Sequence, residues 1–250
     1  ENLKMETRLL ISILLMICFT VTNAFSQQKG QFEITSTSQE IFGNELSSLY
    51  KDVIEQNENI SLEIQIPEKY NPDNPPGLMV YISPQNQINI PRGWLDLMET
   101  ENLIWVAARE SGNKTFTTKR ILLTLAGLQH IQDNYVTNKN RVYVSGLSGG
   151  GRIASMVATQ YPQFFKGAIY NCGVNFWNDV SEEQLNLIKE NRFVFLTGTD
   201  DFNLNDTKQV YSKYKKANVK NINLMIIPRM GHTNPKKNRF AKAISYLDQN

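Results

Sequence analysis

The side chain with the clearest chemical potential in this sequence is Ser148, in the segment Gly146-Leu147-Ser148-Gly149-Gly150. The segment fits the pattern G-x-S-x-G, in which a reactive serine occupies a strained turn between a strand and a helix. Glycines two positions before and after the serine remove Cβ atoms that would clash with the neighbouring elements. The turn also puts the serine at a helix N-terminus, where free N–H groups favour a developing oxyanion. Ser148 is therefore predicted to be a nucleophile.

The base that would activate this serine is expected to be a histidine, since the imidazole pKa lies near neutral pH. The sequence contains two histidines. His130 lies within a predicted helix upstream of the serine, which favours a structural or surface role. His232 lies in a loop directly after an apolar strand, and such loops converge on the ligand site of open α/β sheets. His232 is therefore the candidate base, with a surface histidine as the alternative.

An acidic side chain that orients the histidine is expected on a third strand-end loop. The loop after the apolar strand at 193–196 carries two adjacent acids, Asp200 and Asp201. Neighbouring side chains cannot point the same way, so one of the two should face His232. Serine, acid and histidine then follow one another along the chain, each on its own strand-end loop, which is the order of one large group of hydrolases.

The elements that must position these groups are predicted from hydrophobic patterns and turn signals. An alternating segment at 60–66 indicates a half-exposed strand near an antiparallel sheet edge. Other strands are predicted at 78–82, 103–108, 141–145, 167–172, 193–196 and 222–227. Helices are predicted at 94–98, 120–135, 153–158, 181–188, 206–217 and 238–247. This alternation predicts an α/β fold with a doubly wound, mostly parallel sheet in three layers and no large cap domain.

The stretch from about residue 78 to residue 247 resembles the α/β-hydrolase superfamily, and more narrowly the secreted polyhydroxybutyrate-depolymerase and feruloyl-esterase-like esterases. The residues that carry the resemblance are 140–150, Tyr161-Pro162-Gln163-Phe164-Phe165, Gly198-Thr199-Asp200-Asp201 and Gly231-His232. The resemblance implies an α/β-hydrolase fold with Ser148 as nucleophile and His232 as base. In that group the acid commonly follows glycine as G-x-x-D, which implies Asp201 with Asp200 as the alternative. Such a mechanism needs no metal and no cofactor.

The oxyanion hole is expected to combine the backbone N–H of Gly149 with a donor from the loop after the strand at 78–82. Many relatives have a His-Gly-type segment there, whereas this chain has Ser83-Pro84-Gln85. Proline has no N–H, so the second donor is expected from Gln85 or Ser83. Asn113, in a loop after another strand, is a candidate for lining the site, with a simple turn as the alternative.

Two further side chains were weighed for the site. Trp177 follows the strand at 167–172 and is a candidate aromatic wall for an acyl or alcohol group, with core or rim packing as the alternative. Cys172 is expected to be a small strand residue, since no histidine lies near it in sequence.

The composition of the chain limits the classes of molecule that it is expected to bind. The chain has 250 residues, of which 41% are hydrophobic and 20% charged, an ordinary globular balance that suits one α/β domain. A formal net charge of +2 is too small to indicate nucleic acid or an anionic membrane surface. Nothing in the sequence resembles a zinc-binding cysteine cluster, since the only cysteines are Cys18 and Cys172. The expected partner is a small-molecule or polymer-linked ester, and the oligomeric state is not predicted.

The N-terminus is predicted to be a signal peptide that spans residues 1–26. Two basic residues precede an apolar run from 9 to 21, and small and polar residues follow. The run is shorter than the roughly 20 apolar residues of a membrane span. Cleavage after Ala24 or Ser26 would leave 27–250 as one secreted or periplasmic catalytic domain without an internal disulfide. A buried N-terminal helix and a lipid anchor at Cys18 are the alternatives.

Three functions remain open from the sequence. The first is a secreted serine esterase that works through an acyl-enzyme and a Ser148, Asp201, His232 triad. The second is a serine peptidase of the prolyl-oligopeptidase type, which shares the sheet and the triad. The third is a binding protein that kept the fold and lost activity, which the unusual loop at 83–85 favours.

Overall fold

The computed structural model describes residues 28–249, which form one eight-stranded sheet with helices on both faces. The strands are β1 (Gly30–Thr37), β2 (Asn59–Ile66), β3 (Gly77–Ile82), β4 (Leu103–Ala108), β5 (Val142–Leu147), β6 (Gly167–Asn171), β7 (Arg192–Gly198) and β8 (Ile222–Ile227). The helices are α1 (Ser38–Leu49), α2 (Trp94–Thr100), α3 (Thr117–Asn134), α4 (Gly149–Gln160), α5 (Glu182–Glu190), α6 (Leu204–Lys216) and α7 (Lys237–Leu247).

The strand order in the sheet is β1-β2-β4-β3-β5-β6-β7-β8. β2 pairs antiparallel with both β1 and β4, and every other neighbouring pair is parallel. The alternating strand predicted at 60–66 therefore lies at the antiparallel end of the sheet, as expected. Parallel neighbours require crossovers, and in this chain helices supply them. The carboxyl ends of β5, β6, β7 and β8 consequently lie side by side at one edge of the sheet.

Two hydrophobic cores lie on the two faces of the sheet. Because successive strand residues point to opposite faces, Leu78 and Val80 of β3 join one core while Met79 and Tyr81 join the other. Buried side chains of α1, α3, α4, α5 and α6 pack into the first core, and those of α2 and α7 into the second. The predicted doubly wound, three-layered α/β architecture is confirmed. No large cap domain lies within residues 28–249.

The elements from β3 onward agree with the prediction to within a few residues, whereas β1 and α1 were not predicted. β1 alternates in burial along its length, with Phe32 and Ile34 directed inward. α1 begins with a capping box, since the Thr37 hydroxyl accepts from the Glu40 N–H and the Glu40 carboxylate accepts from the Thr37 N–H at 2.8 Å. Thr-x-x-Glu is a recognised helix-start signature, so the sequence carried a signal for this helix.

A charged clamp fixes the start of β5, the strand that leads to the predicted nucleophile. The Arg141 guanidinium donates to both carboxylate oxygens of Asp248, at 2.7 and 2.8 Å, and the Tyr143 hydroxyl donates to the same carboxylate at 2.6 Å. Such bidentate pairs are strong and directional. The clamp joins β5 to the chain just after α7 and holds the strand in register.

Between residues 28 and 249, no helix is both long and apolar enough to cross a membrane. The signal-peptide prediction for residues 1–26, together with Cys18, falls outside the described residues.

Candidate active site

The predicted nucleophile lies on a sharp turn between β5 and α4. Ser148 has φ 58° and ψ −119°, a positive φ that is unusual for a residue with a side chain. Its N–H donates to the carbonyl oxygen of Asn171, at the end of β6, at 2.8 Å. A backbone of this kind stores strain on the order of 1–3 kcal/mol. The turn puts the partly exposed Ser148 at the N-terminus of α4, where the first N–H groups lack intrahelical acceptors.

The glycines that flank Ser148 are required by backbone contacts. A Cβ on Gly146 would overlap backbone atoms of Gly150, and a Cβ on Gly150 would overlap the carbonyl oxygen of Ile82. On the other side of the turn, a Cβ on Gly173 would overlap the carbonyl oxygen of Ser148. These neighbours are main-chain atoms that cannot rotate away. The steric reason predicted for the G-x-S-x-G spacing is therefore present in the structure.

Replacement of Gly150 by alanine is expected to destabilise the protein, because the new methyl group must push β3 away from α4. Overpacking of this kind costs about 1–3 kcal/mol of unfolding free energy. Gly231→Ala is the matched control, since a Cβ there meets nothing within 4 Å. Urea unfolding measures both. Equal denaturation midpoints for the two variants would contradict the steric argument.

The candidate acid and base meet at the ends of β7 and β8. His232 Nδ1 lies 2.8 Å from Asp201 Oδ1, the Asp201 side chain is fully buried and the His232 side chain is 21% exposed. Asp200 is exposed instead, and its Oδ1 accepts from the Thr199 hydroxyl at 2.9 Å. Of the two adjacent acids, the structure therefore brings Asp201 to His232, as the G-x-x-D resemblance implied.

Hydrogen bonds keep Asp201 ionised. The Thr197 hydroxyl donates to Oδ2 at 2.6 Å and the Asn203 N–H donates to Oδ1 at 3.0 Å. Burial alone would raise the pKa of the Asp201 carboxyl, but the hydrogen bonds from Thr197, His232 and Asn203 outweigh it and hold the pKa below its usual value. An ionised carboxylate only accepts hydrogen bonds. Nδ1 of His232 therefore carries the proton, and Nε2 is left as the acceptor that a general base needs.

Sequence reasoning missed the residues that hold this acid in place. Asn203 binds the carboxylate through its N–H, and its side chain donates to the carbonyl oxygen of Cys172 at 2.8 Å. The first of these bonds is an Asx-turn, in which an aspartate accepts from the N–H two residues on. The spacing Asp201-Phe202-Asn203 carried that signal, whereas nothing local pointed to the contact with Cys172.

The loop that carries His232 is tied to distant strands. The side-chain oxygen of Asn234 accepts from the Tyr81 hydroxyl at 3.2 Å and from the Asn171 side-chain amide at 2.7 Å. The Trp94 indole donates to the carbonyl oxygen of Pro235 at 3.1 Å. These contacts connect the loop to β3, β6 and α2, and they orient the chain on the carboxyl side of His232. They join residues far apart in sequence, so no local pattern predicts them.

One aromatic ring covers the imidazole. Phe202 stacks on His232 with ring centroids 4.0 Å apart and an interplanar angle of 22°. The Phe202 side chain is nevertheless 77% exposed. An exposed phenylalanine against the candidate base forms part of the rim of the cleft.

The segment after β6 contacts both the Ser148 turn and the loop that carries His232. Gly173 presses against the backbone of Ser148, and the Cys172 thiol lies 3.5 Å from the carbonyl oxygen of Thr233, next to His232. Within residues 28–249, no hydrogen bond joins the Ser148 hydroxyl to His232. Catalytic hydrogen bonds of this kind commonly tighten only when substrate binds. Ser148 and the Asp201–His232 pair thus flank one short segment.

Cys172, Asp201 and His232 also form a cluster of possible metal ligands, with their ligand atoms all within 4.8 Å of one another. Burial and the neighbouring Asp201 carboxylate raise the pKa of the Cys172 thiol far above its ordinary value, and the thiol donates to the carbonyl oxygen of Thr233 at 3.5 Å. A metal would have to displace this proton and the one on His232 Nδ1. The arrangement therefore matches a hydrogen-bonded acid–base pair better than a metal centre.

The predicted second oxyanion donor is already engaged. The N–H of Gln85 donates to the Ser83 hydroxyl oxygen at 3.0 Å, so it is used within its own loop. This loop is anchored by the buried Arg120, which donates to the carbonyl oxygens of Ser83, at 3.1 Å, and of Ser111, at 2.7 Å. Burial lowers the pKa of the Arg120 guanidinium to about 10, so it is still charged near neutral pH. Arg120 was not singled out from the sequence.

Of the two other candidate side chains, only Asn113 lies beside Ser148 and its turn. A Cβ on Gly149 would overlap the side-chain oxygen of Asn113. Trp177 packs instead against Phe176 and Tyr214, with ring centroids 4.1 and 4.6 Å away, and joins the core. Its contacts match the core-packing alternative. His130 lies on α3, where burial lowers the pKa of its imidazole.

The strand order, the positive-φ serine after β5 and the strand-end acid and histidine define the α/β-hydrolase fold. Three solved structures resemble the chain. An S-formylglutathione hydrolase from Staphylococcus aureus has a TM-score of 0.64 and 14% identity over 87% of this chain and 98% of its own. A feruloyl esterase module from Clostridium thermocellum, in complex with sinapinate, has a TM-score of 0.62 and 12% identity over 90% of each chain. A dipeptidyl aminopeptidase IV from Bacteroides ovatus, named only provisionally, has a TM-score of 0.61 and 17% identity. The match covers 93% of this chain but 38% of that one.

The sequence itself matches one family model. Residues 124–190 match the prolyl oligopeptidase family, a span from within α3 through the Ser148 turn to the end of α5. The match includes the candidate nucleophile and stops before Asp201 and His232. No curated protein matches the sequence.

Proposed function

We propose that this protein is a serine hydrolase that cleaves carboxylic esters through an acyl-enzyme. The observation that carries the proposal is the Asp201–His232 pair, on the same sheet edge as the strained Ser148 turn. Nδ1 of His232 is bonded to a buried ionised carboxylate, and Nε2 has no hydrogen-bond partner among residues 28–249. These are the groups that serine-based acyl transfer needs.

In the proposed reaction the Ser148 hydroxyl oxygen attacks the ester carbonyl while His232 Nε2 takes the hydroxyl proton. The carbonyl electron pair moves to oxygen, and the N–H of Gly149 stabilises that charge. Collapse of the tetrahedral intermediate expels the alkoxide, which leaves as alcohol with the proton from His232. Water then attacks the carbonyl carbon of the acyl-enzyme while His232 Nε2 takes a proton from the water. The Ser148 oxygen leaves with that proton, and the carboxylic acid is released. Asp201 holds the tautomer and stabilises the imidazolium throughout.

The solved structures with the same fold support an ester as substrate. One is a feruloyl esterase module and another hydrolyses S-formylglutathione, a thioester, according to their names. The substrate class proposed here is a small-molecule or polymer-linked ester. Export from the cytoplasm is part of the proposal and rests on the composition of residues 1–26.

The family match at 124–190 favours peptide hydrolysis as a second candidate. Ester and amide cleavage use the same nucleophile and base and differ in the leaving group. An amine leaves only after it has been protonated, so a peptidase must position the imidazolium closely against the leaving nitrogen. The substrate comparison below separates the two.

The test compares p-nitrophenyl acetate and butyrate with peptide p-nitroanilides, in parallel with labelling by a fluorophosphonate probe. We expect kcat/KM for the esters to exceed that for the anilides at least 100-fold, and the probe to modify Ser148 in a peptide map. Faster turnover of the anilides would favour the peptidase. If the protein shows no turnover of either substrate and no labelling, catalysis is contradicted, and a binding protein with a hydrolase fold remains.

A further inference from the structure

The oxyanion hole of the proposed reaction lacks an obvious second donor. The N–H of Gly149, at the first position of α4, has no intrahelical acceptor and supplies one donor. Efficient acyl transfer places two or more donors around the developing charge. Pro84 has no N–H, and the N–H of Gln85 is engaged by the Ser83 hydroxyl at 3.0 Å. Of the donors predicted in this loop, only the Ser83 N–H is left, and a side chain from another loop is the alternative source.

The side chain of Asn113 lies against Gly149, the residue whose N–H supplies the first donor. A Cβ built on Gly149 would overlap the Asn113 Oδ1 and would lie 3.2 Å from Nδ2. The amide is therefore packed directly against the residue whose N–H is the first donor. Asn113 is exposed, and its side chain makes no hydrogen bond to any residue between 28 and 249. The amide is therefore available to a bound substrate.

The backbone of Asn113 is held firmly although its side chain is free. Its N–H donates to the carbonyl oxygen of Pro84 at 2.9 Å, and the N–H of Gly112 donates to the Asn86 side chain at 3.1 Å. The Arg120 guanidinium bridges the carbonyls before each loop segment, those of Ser83 and Ser111. The loop of Asn113 and the loop at 83–87 are thus one rigid unit beside Ser148.

A half-turn of the amide exchanges the positions of its oxygen and its NH₂ group. An oxyanion bound to the Gly149 N–H repels the amide oxygen and attracts the NH₂ group. The rotation breaks no hydrogen bond, because the Asn113 side chain makes none to the residues between 28 and 249. Substrate binding would thus select the donor orientation.

We propose that the Asn113 side-chain amide is the second oxyanion donor and hence a catalytic residue. The inference rests on the proposed function and replaces the N–H of Gln85 or Ser83, between which the sequence left the choice open. The donor then comes from the loop after β4, and the Ser83 N–H in the loop after β3 is the alternative that the test addresses.

The test measures steady-state hydrolysis of p-nitrophenyl acetate by wild type, Asn113→Ala and Asn113→Asp. Loss of one oxyanion donor costs on the order of 10²–10³-fold in kcat, with KM changed less than about threefold. The aspartate keeps the shape but adds negative charge next to the oxyanion, so its kcat should fall at least as far. Asn89→Ala is the control: it removes another exposed asparagine, beyond the loop at 83–87, with loss of one surface hydrogen bond to the Gln85 side chain, and should keep kcat within about twofold.

Fluorophosphonate labelling of Ser148 gives an independent readout, because the phosphonyl oxygen occupies the oxyanion site. Labelling rates should fall in both Asn113 variants and stay unchanged in Asn89→Ala. Thermal unfolding should be unaltered, since the Asn113 side chain has no partner to lose. If wild type is active and both variants keep their kcat and labelling rate, Asn113 is not the donor and the Ser83 N–H takes that role. If wild type neither hydrolyses esters nor reacts with the probe, the proposed function itself fails.

Discussion

Replacing Ser148 by alanine should lower kcat for a p-nitrophenyl ester by about 10⁶-fold, as loss of the nucleophile does in serine proteases. The nearest alternative nucleophile, the Cys172 thiol, is buried, and its raised pKa keeps it protonated. The variant cannot form an acyl-enzyme, so any remaining rate comes from oxyanion stabilisation and substrate binding. Active-site titration and steady-state kinetics on the same samples measure the loss.

The control for this substitution is Ser212→Ala, an exposed serine on α6 whose hydroxyl bonds only to the carbonyl oxygen of Lys208. It should keep full activity. Ser148→Gly adds a structural readout, because glycine relieves the positive φ and should raise the unfolding free energy by about 1 kcal/mol relative to Ser148→Ala. Full ester turnover by Ser148→Ala would refute the assignment of the nucleophile.

The second large effect is expected from Asp201→Asn, which should lower kcat by about 10⁴-fold. Asparagine can donate to His232 Nδ1, so the imidazole would move its proton to Nε2 and lose the acceptor that activates Ser148. Asp200→Asn is the matched control. Its side chain bonds only to Thr199 at the surface, so activity should stay within a few-fold of wild type. A larger loss at Asp200 than at Asp201 would show that the acid has been wrongly chosen.

Asp201→Asn should also change how stability depends on pH. The Asp201 pKa is lower in the folded chain than in the unfolded chain, where it is about 3.9. Its stabilising contribution is therefore complete above the unfolded pKa and is lost as pH falls through the folded pKa. We expect wild type to exceed Asp201→Asn in unfolding free energy at pH 7, and the difference to shrink below about pH 4. Urea unfolding at both pH values measures it.

Local patterns were sufficient for most of the fold. Apolar runs, glycine and proline turns and the alternating segment at 60–66 each report on a few adjacent residues, and they placed every strand from β2 to β8. β1 and α1 were missed although alternation at Phe32 and Ile34 and the capping box at Thr37 were present. Each of these two signals is weak when it is taken alone.

The candidate site divides in the same way. Ser148 could be predicted because its turn imposes a steric rule on residues two positions away. Asp201 is held toward His232 by a turn in which its carboxylate accepts from the Asn203 N–H. From the sequence, Asp201 was preferred to Asp200 only because of the G-x-x-D resemblance. The positions of Asn113 and Arg120 depend on how two separate loops pack together. No pattern along the chain encodes such a contact, so Asn113 was left between two roles.

The reactivity of the Cys172 thiol can be used to measure how often the structure around Asp201 and His232 opens. Alkylating reagents need an accessible thiolate, whereas this thiol is buried and its raised pKa beside Asp201 keeps it protonated. It can react only while the segment after β6 opens locally. Its alkylation rate, followed in a Cys172 peptide, therefore reports the free energy of opening of the acid–base pair apart from global unfolding.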